Sequence, residues 1–168
     1  MIAHGEVAIR EERPGDEEAI RHVNTLAFGQ PEEAQIVDAL RSACPEGLSL
    51  VAVDRGELIG HILFTPATLA HLEGMGLAPM AVAPSRQREG IGSRLVRAGL
   101  AELRARGCPF VVVLGHPEYY PRFGFEPASA YGIRCKWEVP DDAFMILRMD
   151  PSRMEGVSGM AHYRDELG

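Results

Sequence analysis

Val82-Ala83-Pro84-Ser85-Arg86-Gln87-Arg88-Glu89-Gly90-Ile91-Gly92-Ser93-Arg94-Leu95 joins the end of an apolar strand to the start of the clearest helix in the chain. From Ile91 to Arg106, Ile91, Leu95, Gly99 and Leu103, with Val96 and Leu100 beside them, form one apolar stripe. Gly107 stands where a left-handed C-cap is expected. A helix N-terminus presents unpaired N–H groups and about half a positive charge, so anions bind there without a dedicated side chain. Gly90 and Gly92 lack a Cβ and let a phosphate approach the backbone, while Arg86, Arg88 and Arg94 flank the turn with charged donors. A dinucleotide fingerprint needs a third glycine where Leu95 stands, and a Walker A loop needs a lysine that this turn lacks. The plain alternative is a helix that merely begins with glycines. The full spacing after an apolar strand, with arginines around it, favours an anion site.

Working outward, Val7 to Arg10 reads as a first strand and Asp16 as a helix N-cap, with Glu17 and Glu18 in the first turn. Pro31-Glu32-Glu33 starts a second helix. Leu48 to Val53 and Leu58 to Leu63, the latter extendable to Leu69, form an antiparallel hairpin about Asp54-Arg55-Gly56-Glu57. Glu73-Gly74-Met75-Gly76 reads as a break before a strand from Leu77 to Val82, which Pro79 makes irregular. Pro109 to Leu114 is a buried central strand, Tyr119 to Phe123 a short helix, and Ala143 to Met149 a final strand. The tail from Ser152 to Gly168 is weakly specified. The fold class is therefore mixed α/β, ordered strand, two helices, three strands, helix, strand, short helix, strand. The segment from Leu77 to Leu114 is expected to be a right-handed crossover with parallel strands. The expected domain is 7–150, with 151–168 as a C-terminal tail.

The 168 residues suffice for an ordinary core, and the net charge of −7 argues against a nucleic-acid partner. No stretch of spanning length is apolar and no signal-peptide core opens the chain, so a cytoplasmic protein with no membrane partner is expected. Cys44, Cys108 and Cys135 are odd in number and widely spaced, which excludes a disulfide framework and a zinc site; no metal is expected. Cys108 is read as a buried small hydrophobe. A homodimer is compatible with the composition.

With these elements in place, the chain resembles the GCN5-related N-acetyltransferase (GNAT) family. Gln87, Gly90 and Gly92 match its signature Gln/Arg-x-x-Gly-x-Gly/Ala between the fourth strand and the third helix. Tyr120-Pro121-Arg122-Phe123-Gly124-Phe125 is similar to its Tyr-x-x-x-Gly-Phe element. Gly-His-Pro-Glu-Tyr-Tyr-Pro-Arg-Phe-Gly-Phe, residues 115–125, looks like the subgroup named for the bacterial protein YhbS. The resemblance implies acetyl-CoA as donor and a small-molecule or peptide amine as acceptor. It implies a pyrophosphate held by Gln87, Arg88, Glu89, Gly90, Ile91, Gly92 and Ser93, and a pantetheine arm paired with Met80, Ala81 and Val82. An amide of Ala81 or Val82 is the expected oxyanion donor. It places Tyr120 as the general acid, with Tyr119 the fallback. A phenol of ordinary pKa ~10 stays protonated at neutral pH and can supply a departing thiolate.

The strand glutamate common in the family is missing between Leu77 and Val82, so the candidate bases are His116 and Glu118, or a water chain. Against these stand core packing for the tyrosines and a strand-end cap for His116. The acceptor pocket is expected from the first two helices and from Tyr131 to Asp142, where Trp137 reads more as packing than as pocket. A non-catalytic acyl-CoA binder of the same fold, and an interaction module with a purely structural glycine turn, are the competing readings.

Overall fold

The hairpin at Arg55 and Gly56 organises the N-terminal half: both residues take positive φ, 54° and 81°, as a tight turn between twisted strands requires. In the computed structural model, which describes residues 7–167, the chain divides into two compact units. The first comprises residues up to Phe64 together with Ala78–Ala101. It holds β1 (Ala8–Glu11), β2 (Leu48–Asp54) and the first part of β3 (Glu57–Leu69), all antiparallel, with Ile9 opposite Ala52 and Leu50 opposite Ile62. Helices α1 (Glu17–Phe28) and α2 (Glu32–Ala43) bury Ile20, Val23, Val37 and Leu40. In α3 (Ile91–Ala105), Gly99 lies under Phe64, whose ring would stand 2.2 Å from a Cβ there.

Asp16 precedes α1 but does not cap it through its side chain. Its carboxylate instead accepts from the Arg10 guanidinium at 2.7 Å and from the Arg13 amide at 2.7 Å. An ion pair with β1's arginine outcompetes the cap because a guanidinium is the stronger donor.

His61, in the middle of β3, is fully buried within a polar chain. Asn24 Nδ2 donates to His61 Nδ1 at 3.2 Å, so Nε2 carries the proton and donates to Ser49 Oγ at 2.9 Å. Ser49 donates to Glu12 at 2.6 Å, and Glu12 accepts from Arg41 Nε at 2.6 Å. The chain ties α1, α2 and the segment after β1 to β2 and β3.

The second unit comprises Thr65–Leu77 and the residues from Glu102 on. Its strands run in the order β3, β4 (Leu72–Val82), β5 (Phe110–Leu114), β8 (Phe144–Arg148), β6 (Glu126–Pro127). β9 (Gly159–His162) pairs with β3 and with β7 (Ile133–Arg134). β4 and β5 are parallel, Met75 against Val111 and Gly76 against Val112, as the crossover requires. The remaining ladders with β5 and β8 are antiparallel.

Glu73 to Gly76, expected to be a break, lies inside β4, and the turn falls at Ala70-His71. The glycines serve close packing: a Cβ on Gly74 would stand 2.5 Å from the Phe110 carbonyl oxygen, and one on Gly76 would stand 2.5 Å from the Tyr163 ring. Nor is the strand at Phe144–Arg148 the last. The tail forms α4 (Pro151–Met154), which buries Met154, and then β9, so it belongs to the sheet instead of trailing. Cys108 is only half-buried, and its thiol donates to the Phe110 carbonyl at 3.1 Å. Among the described residues, no helix is long and apolar enough to cross a membrane.

Burial, then the nearby Arg41 charge, pushes His61 down from 6.5 to about 3. The unfolded chain therefore binds a proton between these values that the folded chain does not. Stability is full above pH 6.5 and falls as pH drops toward 3. Urea unfolding at several pH values is expected to show this loss between pH 6.5 and 4, and His61→Gln to flatten it.

Candidate functional site

The turn after β4 is built from backbone. The Ala83 amide donates to Ile59 O at 2.8 Å, holding the end of β4 on β3. A 3-10 turn at Pro84–Arg86 follows. Arg88 and Gly90 then both take left-handed conformations, φ 68° and 83°. Such residues swing neighbouring N–H groups to one side and make anion-binding concavities. A left-handed arginine is also strained, which is where functional backbone is often found. The first bond within α3 runs from the Arg94 amide to Gly90 O at 3.1 Å, so the amides of Ile91 and Gly92 stand ahead of it. Glu89 and Ser93 complete the turn; Ser93 is half-buried and Glu89 exposed.

The side chains around this turn divide in role. Gln87 donates its amide to Val82 O at 3.1 Å and so braces the loop to the end of β4. Arg86 is held by Asp54 at 2.9 Å and by Glu89 at 3.1 Å, and Arg94 donates to Val7 O at 2.8 Å. Arg88 and Arg94 are both exposed, and of the three rim arginines expected from sequence Arg88 alone has no side-chain hydrogen bond or ion pair among the described residues. Met80 and Val82 are half-buried and Ala81 buried.

The second unit carries the candidate acid and base. Tyr120 opens the short 3-10 turn Tyr120–Phe123 and is 7% exposed. Its ring packs edge-on against Tyr119 at 5.0 Å and Phe125 at 5.7 Å. It occupies the space in front of Gly115, where a Cβ would come within 2.4 Å of it. Burial, then its neighbour Tyr119, pushes the Tyr120 phenol up to about 12. Tyr119 is half-buried under the Arg122 guanidinium, 4.5 Å from its ring centre. The buried one of the pair is thus the residue that sequence names as acid. His116 is exposed, and its carbonyl accepts from the Tyr119 amide at 3.1 Å. The strand-end cap is therefore made by its backbone, and the imidazole stays in solvent. Glu118 is exposed as well.

Two cavities lie on the segments expected to meet an acceptor. An open depression of about 650 Å³ runs along α1 past Glu18, Arg21 and His22. In the second unit, a cleft of about 90 Å³ is lined by Arg134, Cys135, Trp137 and Asp141. Tyr163, which sequence did not single out, packs edge-on against Trp137 at 5.3 Å, with its hydroxyl buried and unpartnered among the described residues. The signal for it was Gly76: a glycine inside a strand marks a close neighbour.

Residues 8–128 match the family described as Acetyltransferase (GNAT) domain. The chain belongs to the GNAT acetyltransferase family. It is 45% identical over 169 residues to the uncharacterized N-acetyltransferase YjhQ of Escherichia coli K12, covering 91% of each chain. It is similar to the crystal structure of the GNAT protein YhbS from Escherichia coli in complex with CoA, with TM-score 0.90 and 33% identity over 99% of this chain and 94% of that one. It is also similar to a Brucella melitensis GNAT acetyltransferase in complex with acetyl-CoA, with TM-score 0.80 and 37% identity over 98% and 100% of the two chains.

The raised Tyr120 pKa makes stability depend on alkaline pH. The folded phenol stays neutral above the range where the unfolded one ionises. It contributes stability below pH 10 that is lost as pH rises from 10 through 12. Denaturant melts at pH 9, 10 and 11 are expected to show a shallower alkaline loss for Tyr120→Phe than for wild type.

Proposed function

We propose that the chain transfers an acetyl group from acetyl-CoA to an amine by direct attack, with Tyr120 as general acid and His116 as base. The carrying observation is the turn at Arg88 and Gly90, left-handed at both residues and followed by the leading amides of α3. That backbone fits a pyrophosphate, and Arg88 adds the exposed charge. Met80 to Val82 lie next along the chain and suit a pantetheine arm, with an amide of Ala81 or Val82 as the donor to the developing oxyanion.

Acetyl-CoA supplies a thioester whose C–S bond breaks as the C–N bond to the amine forms. His116 takes the proton that the attacking nitrogen loses, a role suited to an exposed imidazole since β4 from Leu77 to Val82 has no titratable side chain. Tyr120 gives its proton to the departing sulfur and regains one from solvent. A phenol is neutral at physiological pH and so carries the proton it gives. The products are the acetylated amine and free CoA. Three free cysteines fit the reducing compartment in which such a reaction would run.

Tyr120→Phe is expected to lower kcat by ~10²–10⁴ with CoA affinity nearly unchanged, while Tyr119→Phe does little. Turnover on an accepted amine, beside calorimetry with CoA, checks both. Dead Tyr119→Phe would move the acid to that residue. Gly92→Asp is expected to abolish CoA binding at unchanged melting temperature, because it sets a carboxylate among the phosphate-facing amides; undiminished affinity would remove the turn from the site. CoA binding without turnover across an amine panel would leave a non-catalytic acyl-CoA binder.

A further inference from the structure

The ladder between β4 and β5 consists of Met75 against Val111 and Gly76 against Val112. Beyond it β4 runs on to Val82, while Val113 and Leu114 of β5 pair with Met145 and Phe144 of β8. The parallel strands therefore part after Gly76, and the last rung of their ladder closes the inner end of the opening. Tyr163 seals one face of that end. A Cβ on Gly76 would stand 2.5 Å from the nearest carbon of its ring. Carbon atoms in contact lie ~3.5–4.0 Å apart, so no methyl group fits between the ring and β4. Trp137 braces the ring edge-on at 5.3 Å, and the core that includes Phe110 and Val112 packs against it.

A phenylalanine would fill the same space. Tyr163 instead brings a hydroxyl that is buried with no hydrogen-bond partner among the described residues. Thr65, fully buried in the same unit, has its Oγ1 in the same condition. Thr65, Ala67 and Leu69 alternate along β3 and share one face of it. Ala67 and Leu69 belong to the core that Tyr163 packs against, so Thr65 stands on that side of the sheet too. Two buried hydroxyls on one side of the sheet, neither with a protein partner, point to a polar atom that a ligand supplies.

Resting on the acetyltransferase reading above, we propose that Tyr163 is the specificity-determining residue for the acyl group: its ring is the floor that stops the acyl chain at acetyl, and its hydroxyl donates to the acyl carbonyl. The pyrophosphate turn follows Val82 in the chain, so an arm that pairs with Val82, Ala81 and Met80 advances along β4 toward Gly76. The acyl end meets the closed rung and the Tyr163 ring. A longer chain has to displace a ring that Trp137 holds from behind, and it lays methylenes against hydroxyls that need an acceptor. The family motifs do not carry this role, since they end at Phe125 and Tyr163 follows β9.

The full chain is titrated by calorimetry with CoA, acetyl-CoA and butyryl-CoA, with no amine present. Wild type is expected to bind butyryl-CoA roughly tenfold or more weakly than acetyl-CoA, and Tyr163→Ala to bring the two within about threefold of each other. Tyr163→Phe keeps the ring, so it is expected to discriminate against butyryl-CoA as wild type does. It is expected to bind acetyl-CoA several-fold more weakly at unchanged CoA affinity, as for one lost hydrogen bond. CoA affinity reports the fold of each variant. If Tyr163→Ala loses it, Tyr163→Leu, which keeps an apolar contact with Trp137, carries the same expectation. Equal binding of acetyl-CoA and butyryl-CoA by wild type, undiminished discrimination in a CoA-binding Tyr163→Ala or Tyr163→Leu, or unchanged acetyl-CoA affinity in Tyr163→Phe overturns the proposal. Failure of wild type to bind CoA at all removes the acetyltransferase reading and the proposal with it. Acetylation of an amine by a wild type that binds both acyl-CoAs equally leaves that reading standing and removes only the floor.

Discussion

The second unit depends on β4 carrying no side chain at Gly74 and Gly76. Phe110 and Tyr163 press against those positions at distances a Cβ could not survive. This close approach lets β4 lie in register beside β5, Met75 against Val111 and Gly76 against Val112. A parallel pair needs a crossover, and the crossover is the turn and α3. The same packing recruits the tail, since β9 ends beside Tyr163 and pairs with β3 through Thr68 and Leu69. A core of Phe110, Val112, Phe144 and Ile146 closes over the contact.

In the first unit a polar constraint does comparable work. His61 sits where an apolar residue would be the default, and burial is tolerable only because each of its nitrogens has a partner. The satisfaction passes through Ser49 and Glu12 to Arg41, so four side chains outside β3 are fixed by one histidine. It is incomplete: among the described residues, Asn24 Oδ1 and one Arg41 nitrogen are buried without hydrogen-bond partners. Such a network specifies geometry more than it adds stability.

The tyrosine pair shows how packing separates two adjacent, chemically equal groups. Gly115 opens the space that Tyr120 fills, and Phe125 closes one side of it. Desolvation pushes the Tyr120 phenol up, because burial disfavours the phenolate. Tyr119, one residue earlier, meets Arg122 near solvent.

The order of strands and helices, the parallel crossover and the position of the glycine turn were legible in the sequence. Each rests on local chemistry: apolar spacing along α3, the hairpin at Gly56, and glycines ahead of a helix. The family motifs marked Gln87, Gly90, Gly92 and Tyr120 for the same reason, since they are short and contiguous. What local chemistry could not show was which groups meet across the chain. Glu73 to Gly76 looked like a break because glycine is a turn signal when its neighbour is unknown, and only Phe110 and Tyr163 explain it as strand. The tail looked unspecified because β9 acquires its pattern from β3 and β7, not from its own residues. That Gln87 braces the turn to Val82, that His61 heads a buried polar chain, and that Gly76, Tyr163 and Trp137 come together are decided by the tertiary structure, because each depends on partners brought together by folding.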